Sequence, residues 1–501
     1  MKKLFILLAF AFVFTSANAQ EISDALRYSV DDLNGTARYR AMSGAFGALG
    51  GDLSSINVNP AGSAVFNNNQ LGLTISNYST KNNSNYFGTQ TSESENSFDL
   101  NQAGGVFVFK NHDKNAKWTK IAFAVNYENT NNFDNAKFSA GVNPTNSIAN
   151  YFLSYANGKV PLNIIEFGNY AELSYKEQQA FLAFHGYIIN PVPNSTNNTA
   201  YTSNVREGGN YFQENGIYSN GYNGKLSFNF SSSYKDKLYI GINLNSHFSN
   251  FTQSSRFYED NDNTLTNVDR INRMRFSNDL YTNGTGFSFQ IGAIAKITDG
   301  LRLGAAYESP TWMNLSDELT QRLSSVRSNT SGELPADVID PRITNYYAPY
   351  RLQTPSKFTG SAAYVFGKKG LISIDYAIKD YNNVKFRPTS DDYFRGLNAE
   401  MNATLHNSSE LRIGAEYKIK ALSLRGGYRM EQSPYKNKTT IGDLTGYSGG
   451  LGYNFGATRV DLAYSYAKRN YQQGFFSTGL TNAASIDAIN NNVSLTVLFE
   501  L

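Results

Sequence analysis

A chain of 501 residues without cysteine has no disulfides, no thiol catalysis and no thiolate-bound metal, and its net charge of +3 is too small to argue for a nucleic-acid or acidic partner. Only 17% of its residues are charged and 14% are aromatic, against about 25% charged in an average soluble domain. Its mean hydropathy of −0.42 reads as soluble, but a membrane β-barrel escapes that measure because only alternate residues meet lipid.

The chain opens with Lys2 and Lys3, an unbroken apolar run from Leu4 to Phe14, and then Thr15-Ser16-Ala17-Asn18-Ala19. A charged start, an apolar stretch too short to span a bilayer and a small-residue A-x-A site make residues 1–19 an export signal. Cleavage is expected between Ala19 and Gln20. Beyond it, no stretch reaches the ~20 apolar residues of a transmembrane helix.

Residues 20–69 form a segment of their own with little strand character. Met42 to Gly51 is almost entirely small residues, which lets a compact segment pack closely inside something else. Asp52-Leu53-Ser54-Ser55 suits a capped helical turn, and Asn57-Val58-Asn59-Pro60-Ala61-Gly62 reads as a turn.

From Gln70 onward the chain becomes a succession of alternating strands. Leu71, Leu73 and Ile75 give the first, Ala103 to Phe109 the second, and Ile121, Phe123, Val125 and Tyr127 the third. Leu226, Phe228 and Phe230 follow, and then Leu238, Ile240, Ile242 and Leu244. Further strands pair across turns at 298–300, 367–370, 420–421 and 456–458. The last, Val493 to Leu501, is apolar at every second position with Leu498 the exception. About fourteen strands result, an even number as outer-membrane barrels have.

The connections discriminate further. Tight turns at 111–118, 233–237 and the four just given alternate with long loops at 131–221, 252–283, 310–355 and 381–408. Short turns on one side and long loops on the other are the mark of an outer-membrane barrel, and a soluble sandwich has no reason to segregate them. Tyr127, Tyr307, Tyr376, Tyr417 and Tyr466 near strand ends fit interfacial girdles. The fold expected is therefore all-β: a transmembrane antiparallel barrel over residues 70–501, located in the outer membrane.

The run Asp52-Leu53-Ser54-Ser55-Ile56-Asn57-Val58-Asn59-Pro60-Ala61-Gly62 resembles the hatch motif of the FadL/TodX type of outer-membrane transporter for long-chain fatty acids and aromatic hydrocarbons. Weaker echoes are Tyr307-Glu308-Ser309-Pro310, Thr354-Pro355-Ser356-Lys357-Phe358 and Leu411 to Tyr417. The chain departs from that pattern at Leu53, where Ala is common, and at its terminal Leu501 in place of Phe. The resemblance implies a monomeric barrel inserted by the barrel-assembly machinery, with residues 20–69 as an N-terminal plug. A hydrophobic ligand would be taken up by the extracellular loops, held in a pocket above the hatch near Asn57, Asn59, Pro60 and Ala61, and released sideways into outer-membrane lipid.

Ile148 to Phe184 has helical spacing, and Tyr151, Phe152, Phe181 and Phe184 would line a capture groove or close a cap on the rim. A two-residue turn at Lys420-Ala421 sets Glu416 opposite Arg425 and Arg412 opposite Arg429 on the inner face. Arg425 and Arg429 are thus candidates for a ligand carboxylate, and equally members of a charge ladder.

Signals for chemistry are poor. Gly446-Tyr447-Ser448-Gly449-Gly450 matches G-x-S-x-G without the helix that such an elbow needs. The four histidines lack metal-ligand spacing, and Glu259-Asp260-Asn261-Asp262 lacks the rest of a calcium motif. No enzyme activity, cofactor, metal or nucleic-acid partner is expected; a general porin or surface adhesin is the competing reading, and a barrel-embedded lipid hydrolase, which would need a Ser–His pair that the sequence does not reveal, is the third.

Overall fold

A computed structural model describes residues 20–501 apart from 114 and 194. The expected export signal, with Ala19 at its cleavage edge, lies outside the described residues; Gln20 is described, and its buried side chain donates to Asp317.

Fourteen antiparallel strands close into a barrel. They are β1 (Gln70–Tyr86), β2 (Thr89–Lys110), β3 (Trp118–Asn132), β4 (Tyr211–Tyr234), β5 (Leu238–Asp260), β6 (Arg270–Lys296) and β7 (Leu301–Glu308), followed by β8 (Lys357–Val365), β9 (Gly370–Asp380), β10 (Asn407–Ile419), β11 (Leu422–Glu431), β12 (Ile441–Asn454), β13 (Thr458–Gly474) and β14 (Ala483–Glu500). The first and last strands pair from Gln70 opposite Glu500 to Asn85 opposite Ser485, so neither is left as an edge. Two further strands, Asn135–Asn143 and Trp312–Asn329, pair with the upper parts of β4 and β6 and raise the wall at one end.

The wall is inside-out relative to a soluble protein. On β9, Ile372, Ile374, Tyr376 and Ile378 are exposed, whereas Ser373 and Asp375 between them are buried. Large apolar side chains on the outer face and polar ones within are what a lipid surround selects. Leu498, which breaks the alternation of β14, is explained by the contents of the barrel. It is buried opposite Gly72, beside Leu53 of the N-terminal segment, so at this inward position an apolar side chain has an apolar partner.

Six tight turns, 111–117, 235–237, 297–300, 366–369, 420–421 and 455–457, lie at one end of the barrel. At the other end the loops are shorter than the sequence suggests: β4 starts at Tyr211, β5 runs to Asp260, β6 starts at Arg270, and β1 turns into β2 at Phe87-Gly88. At about 3.3 Å per residue these strands outrun an apolar band about 25 Å tall. Outside the band there is no lipid to demand alternation, so the sequence signal disappears while backbone pairing continues.

One seam is incomplete. Strands β2 and β3 pair from Gln102 opposite Glu128 down to Lys110 opposite Lys120. Above that level, residues 89–100 of β2 pair with β1 alone, and Asn135–Asn143 pairs with β4 alone, among the described residues. Side chains bridge the seam: Asn129 and Asn132 donate to Asp99 at 2.9 and 2.8 Å, and Asn132 also to Ser97 at 3.0 Å.

Candidate functional site

Residues 20–69 fill the barrel lumen. Short turns of helix, Ile22–Arg27, Ala37–Ala41, Leu53–Asn57 and Pro60–Val65, are held by local caps: Asp52 accepts from Ser54, and the Asn59 side chain accepts from the Ala61 amide. Wall glycines let the segment's backbone come close. A side chain on Gly241 would meet the Pro60 carbonyl carbon at 2.4 Å, and one on Gly414 the Met42 oxygen at 2.6 Å.

Buried charges fasten the segment to the wall. Arg38 donates to Glu416 at 2.9 Å, and Glu416 also accepts from Arg425 at 2.7 Å. Arg425 reaches Asp461 at 2.6 Å, and Arg459 completes the row at 2.8 Å. The Glu416 and Asp461 side chains are fully buried, so each anion depends on its arginines. The Asp375 carboxylate accepts from the Phe46 and Gly47 amides at 2.9 Å each, and Asn59 donates to the Gly47 and Ala293 carbonyls at 2.7 and 3.0 Å.

Above this layer lies a cavity of about 90 Å³, and its lining is charged. Asp31, Asp32, Glu128 and Glu308 face Lys225, Lys357, Lys379 and Arg412, with Tyr28, Asn57 and His247 between them. Lys379 donates to Asp31 at 2.8 Å. Burial opposes the Asp31 charge, but the Lys379 and Lys357 ammonium groups prevail and hold its carboxyl well below the usual carboxylate range. Burial pushes Asp32 up against the pull of Arg429, and pushes the Tyr28 hydroxyl up to about 12. Lys225 stands apart. It is only 6% exposed, opposite Glu128 on one side and His247 on the other, yet its ammonium group makes no hydrogen bond or ion pair among the described residues.

The residues singled out in the sequence are divided by this geometry. Asn57 lines the cavity and donates to Glu128. Asn59, Pro60 and Ala61 lie below it, wired into the wall, where Asn229 donates to the Pro60 carbonyl at 2.9 Å. Glu416 is opposite Arg425 and Arg412 opposite Arg429. Neither Arg425 nor Arg429 is available to a ligand carboxylate in this arrangement: the first is neutralised by Glu416 and Asp461, and the second donates to Glu431 at 3.1 Å. Of that set only Arg412 lines the cavity, and it is paired with Glu410. Ser448 bonds to Ser43 and to the Ala41 carbonyl, as a fastening of the N-terminal segment.

Tyr151 and Phe152 are enclosed in an apolar cluster that caps the far end, and Phe181 and Phe184 pack partly buried against it. None of the four lines the cavity. Sequence reasoning missed Lys225, Lys357 and Lys379. Each sits at an inward position of an alternating strand, and that was the signal available.

A family model described as outer membrane protein transport protein (OMPP1/FadL/TodX) matches residues 188–492, more than half of the chain. No curated protein matches by sequence. The fold is similar to that of a Pseudomonas aeruginosa FadL homologue, with a TM-score of 0.57 at 13% identity, covering 94% of this chain and 99% of the other. It is also similar to the P. putida toluene transporter TodX, with a TM-score of 0.51 at 14% identity, covering 94% and 99%. The Ralstonia pickettii toluene transporter TbuX gives a TM-score of 0.51 at 14% identity, covering 94% and 100%.

Proposed function

The chain belongs to the OMPP1/FadL/TodX family of outer membrane transport proteins, and from that premise we propose that it carries hydrophobic compounds inward, with residues 20–69 as a hatch that denies passage to water and ions. The observation that carries this reading is the hatch fastened across the lumen by the Arg38–Glu416–Arg425–Asp461 row and by the Asn59 and Asp375 bonds. A water-filled pore offers nothing to an apolar solute, whereas a route that stays out of water does.

Exit is then sideways, through the incomplete seam between β2 and β3. The cavity reaches Glu128 and Thr130 beside that seam, which side-chain bonds bridge at Asp99 and Ser97 and, towards the cap, from Asn82, Ser84 and Thr91 to the strand Asn135–Asn143. Entry requires the apolar cap to part. The charged cavity suits an amphipathic ligand better than a bare hydrocarbon: Lys225 offers an unclaimed cation to a carboxylate head, as on a fatty acid, while the tail follows the seam to lipid.

The test is planar-bilayer conductance of the protein beside a deletion of residues 23–66. A nearly closed wild type and a conducting deletion support the reading. Equal conductance of the two overturns it in favour of a general porin.

A further inference from the structure

The net charge of +3 conceals a strong asymmetry. The six tight turns, 111–117, 235–237, 297–300, 366–369, 420–421 and 455–457, hold seven Lys and no Arg against three Asp. These turns form one rim of the barrel, the rim of short turns, which in an outer-membrane barrel faces the periplasm. Four of the six carry exposed lysines, as in Lys235-Asp236-Lys237 and Lys368-Lys369.

The charges stand at a defined depth. On the barrel side of them lies a belt of outward aromatics, with Trp118 against Tyr234 at 5.2 Å between ring centres, Tyr364 against Phe366 at 4.8 Å and Tyr453 against Phe455 at 4.6 Å. Aromatic rings of this kind settle at the boundary between hydrocarbon and headgroups. The Lys235 ammonium lies 5.6 Å from the Tyr234 ring, so the lysine stem leaves the belt directly into the headgroup layer.

We propose that this rim is a binding collar for anionic phospholipid headgroups of the inner leaflet. Three features favour lipid over an acidic periplasmic protein. The lysines are spread over four separate turns of the ring instead of forming one patch, they begin where the aromatic belt ends, and the turns are too short to build a concave docking site. Lysines near an anionic membrane surface each contribute roughly fivefold in association, lost when salt shortens the screening length.

The experiment uses the full-length protein in nanodiscs containing spin-labelled phosphatidylglycerol or phosphatidylcholine, beside a variant carrying Lys235→Gln, Lys237→Gln, Lys368→Gln and Lys369→Gln. The wild type is expected to immobilise phosphatidylglycerol in preference to phosphatidylcholine, with the preference reduced about fivefold or more in the variant and in 1 M salt. Heat-modifiable electrophoretic mobility identifies folded barrels in both samples. Equal immobilisation of the two lipids by the wild type, or a preference that survives the four substitutions in a folded barrel, overturns the proposal and leaves the collar to a protein partner.

Discussion

At the scale of single residues, burial separates the charges that hold the structure together from those left for a ligand. Glu416 is fully buried between Arg38 and Arg425, so Glu416→Gln leaves two guanidinium groups without their shared anion. A loss of about 3–5 kcal/mol is expected, measured as a lowered denaturant midpoint together with increased ion leak. Lys225 has no such obligation. Lys225→Gln is expected to weaken binding of a fatty carboxylate by about 1.5–3 kcal/mol and to leave a fatty alcohol of equal length unaffected, as read by competition with a fluorescent ligand. Equal losses for both would mean that the lysine only shapes the cavity. Asp31 gives a pH dependence. Its carboxyl is held below its unfolded value, so its contribution is complete above about pH 4 and fades as pH falls through the folded-state value. Asp31→Asn should therefore raise ion leak at pH 7, and the wild type should approach the variant only under strong acid.

At the scale of elements, hatch and wall depend on backbone contact. The Gly241 and Gly414 positions admit Pro60 and Met42 at distances that no side chain tolerates. Gly241→Val or Gly414→Val is expected to push the hatch aside and raise single-channel conductance while the barrel still folds, because the outer face and strand pairing are untouched. The seam between β2 and β3 invites a different test. The chain contains no cysteine, so Asp99→Cys with Asn129→Cys introduces a lone pair of thiols across it. Oxidation should stop uptake of a hydrophobic compound and reduction should restore it. Uptake that is indifferent to the redox state would place the exit elsewhere. The arginines chosen from sequence were correctly set on the inner face, but sequence alone does not show that Asp461, two strands away from Arg425, already claims it.

At the scale of the whole molecule, alternation along the strands and the segregation of turns from loops were sufficient for a barrel of fourteen strands, because a lipid surround imposes a two-residue period that nothing else in the chain requires. The same reasoning places the N-terminal segment as a separate unit: its small residues and its Asn-Pro-Ala-Gly turn are incompatible with a wall strand. The sequence by itself therefore determined the class, the strand order and the inner and outer faces of every strand but the second, where Ala103 to Phe109 left the facing open. What only the tertiary structure decided is which inward charges are spent on one another and which remain free. Those partnerships join residues hundreds of positions apart, as Arg38 joins Glu416, and depend on a lumen geometry that exists only once the barrel has closed around its hatch. The reach of the strands beyond the membrane was decided there too, since outside lipid the pairing leaves no pattern in the sequence.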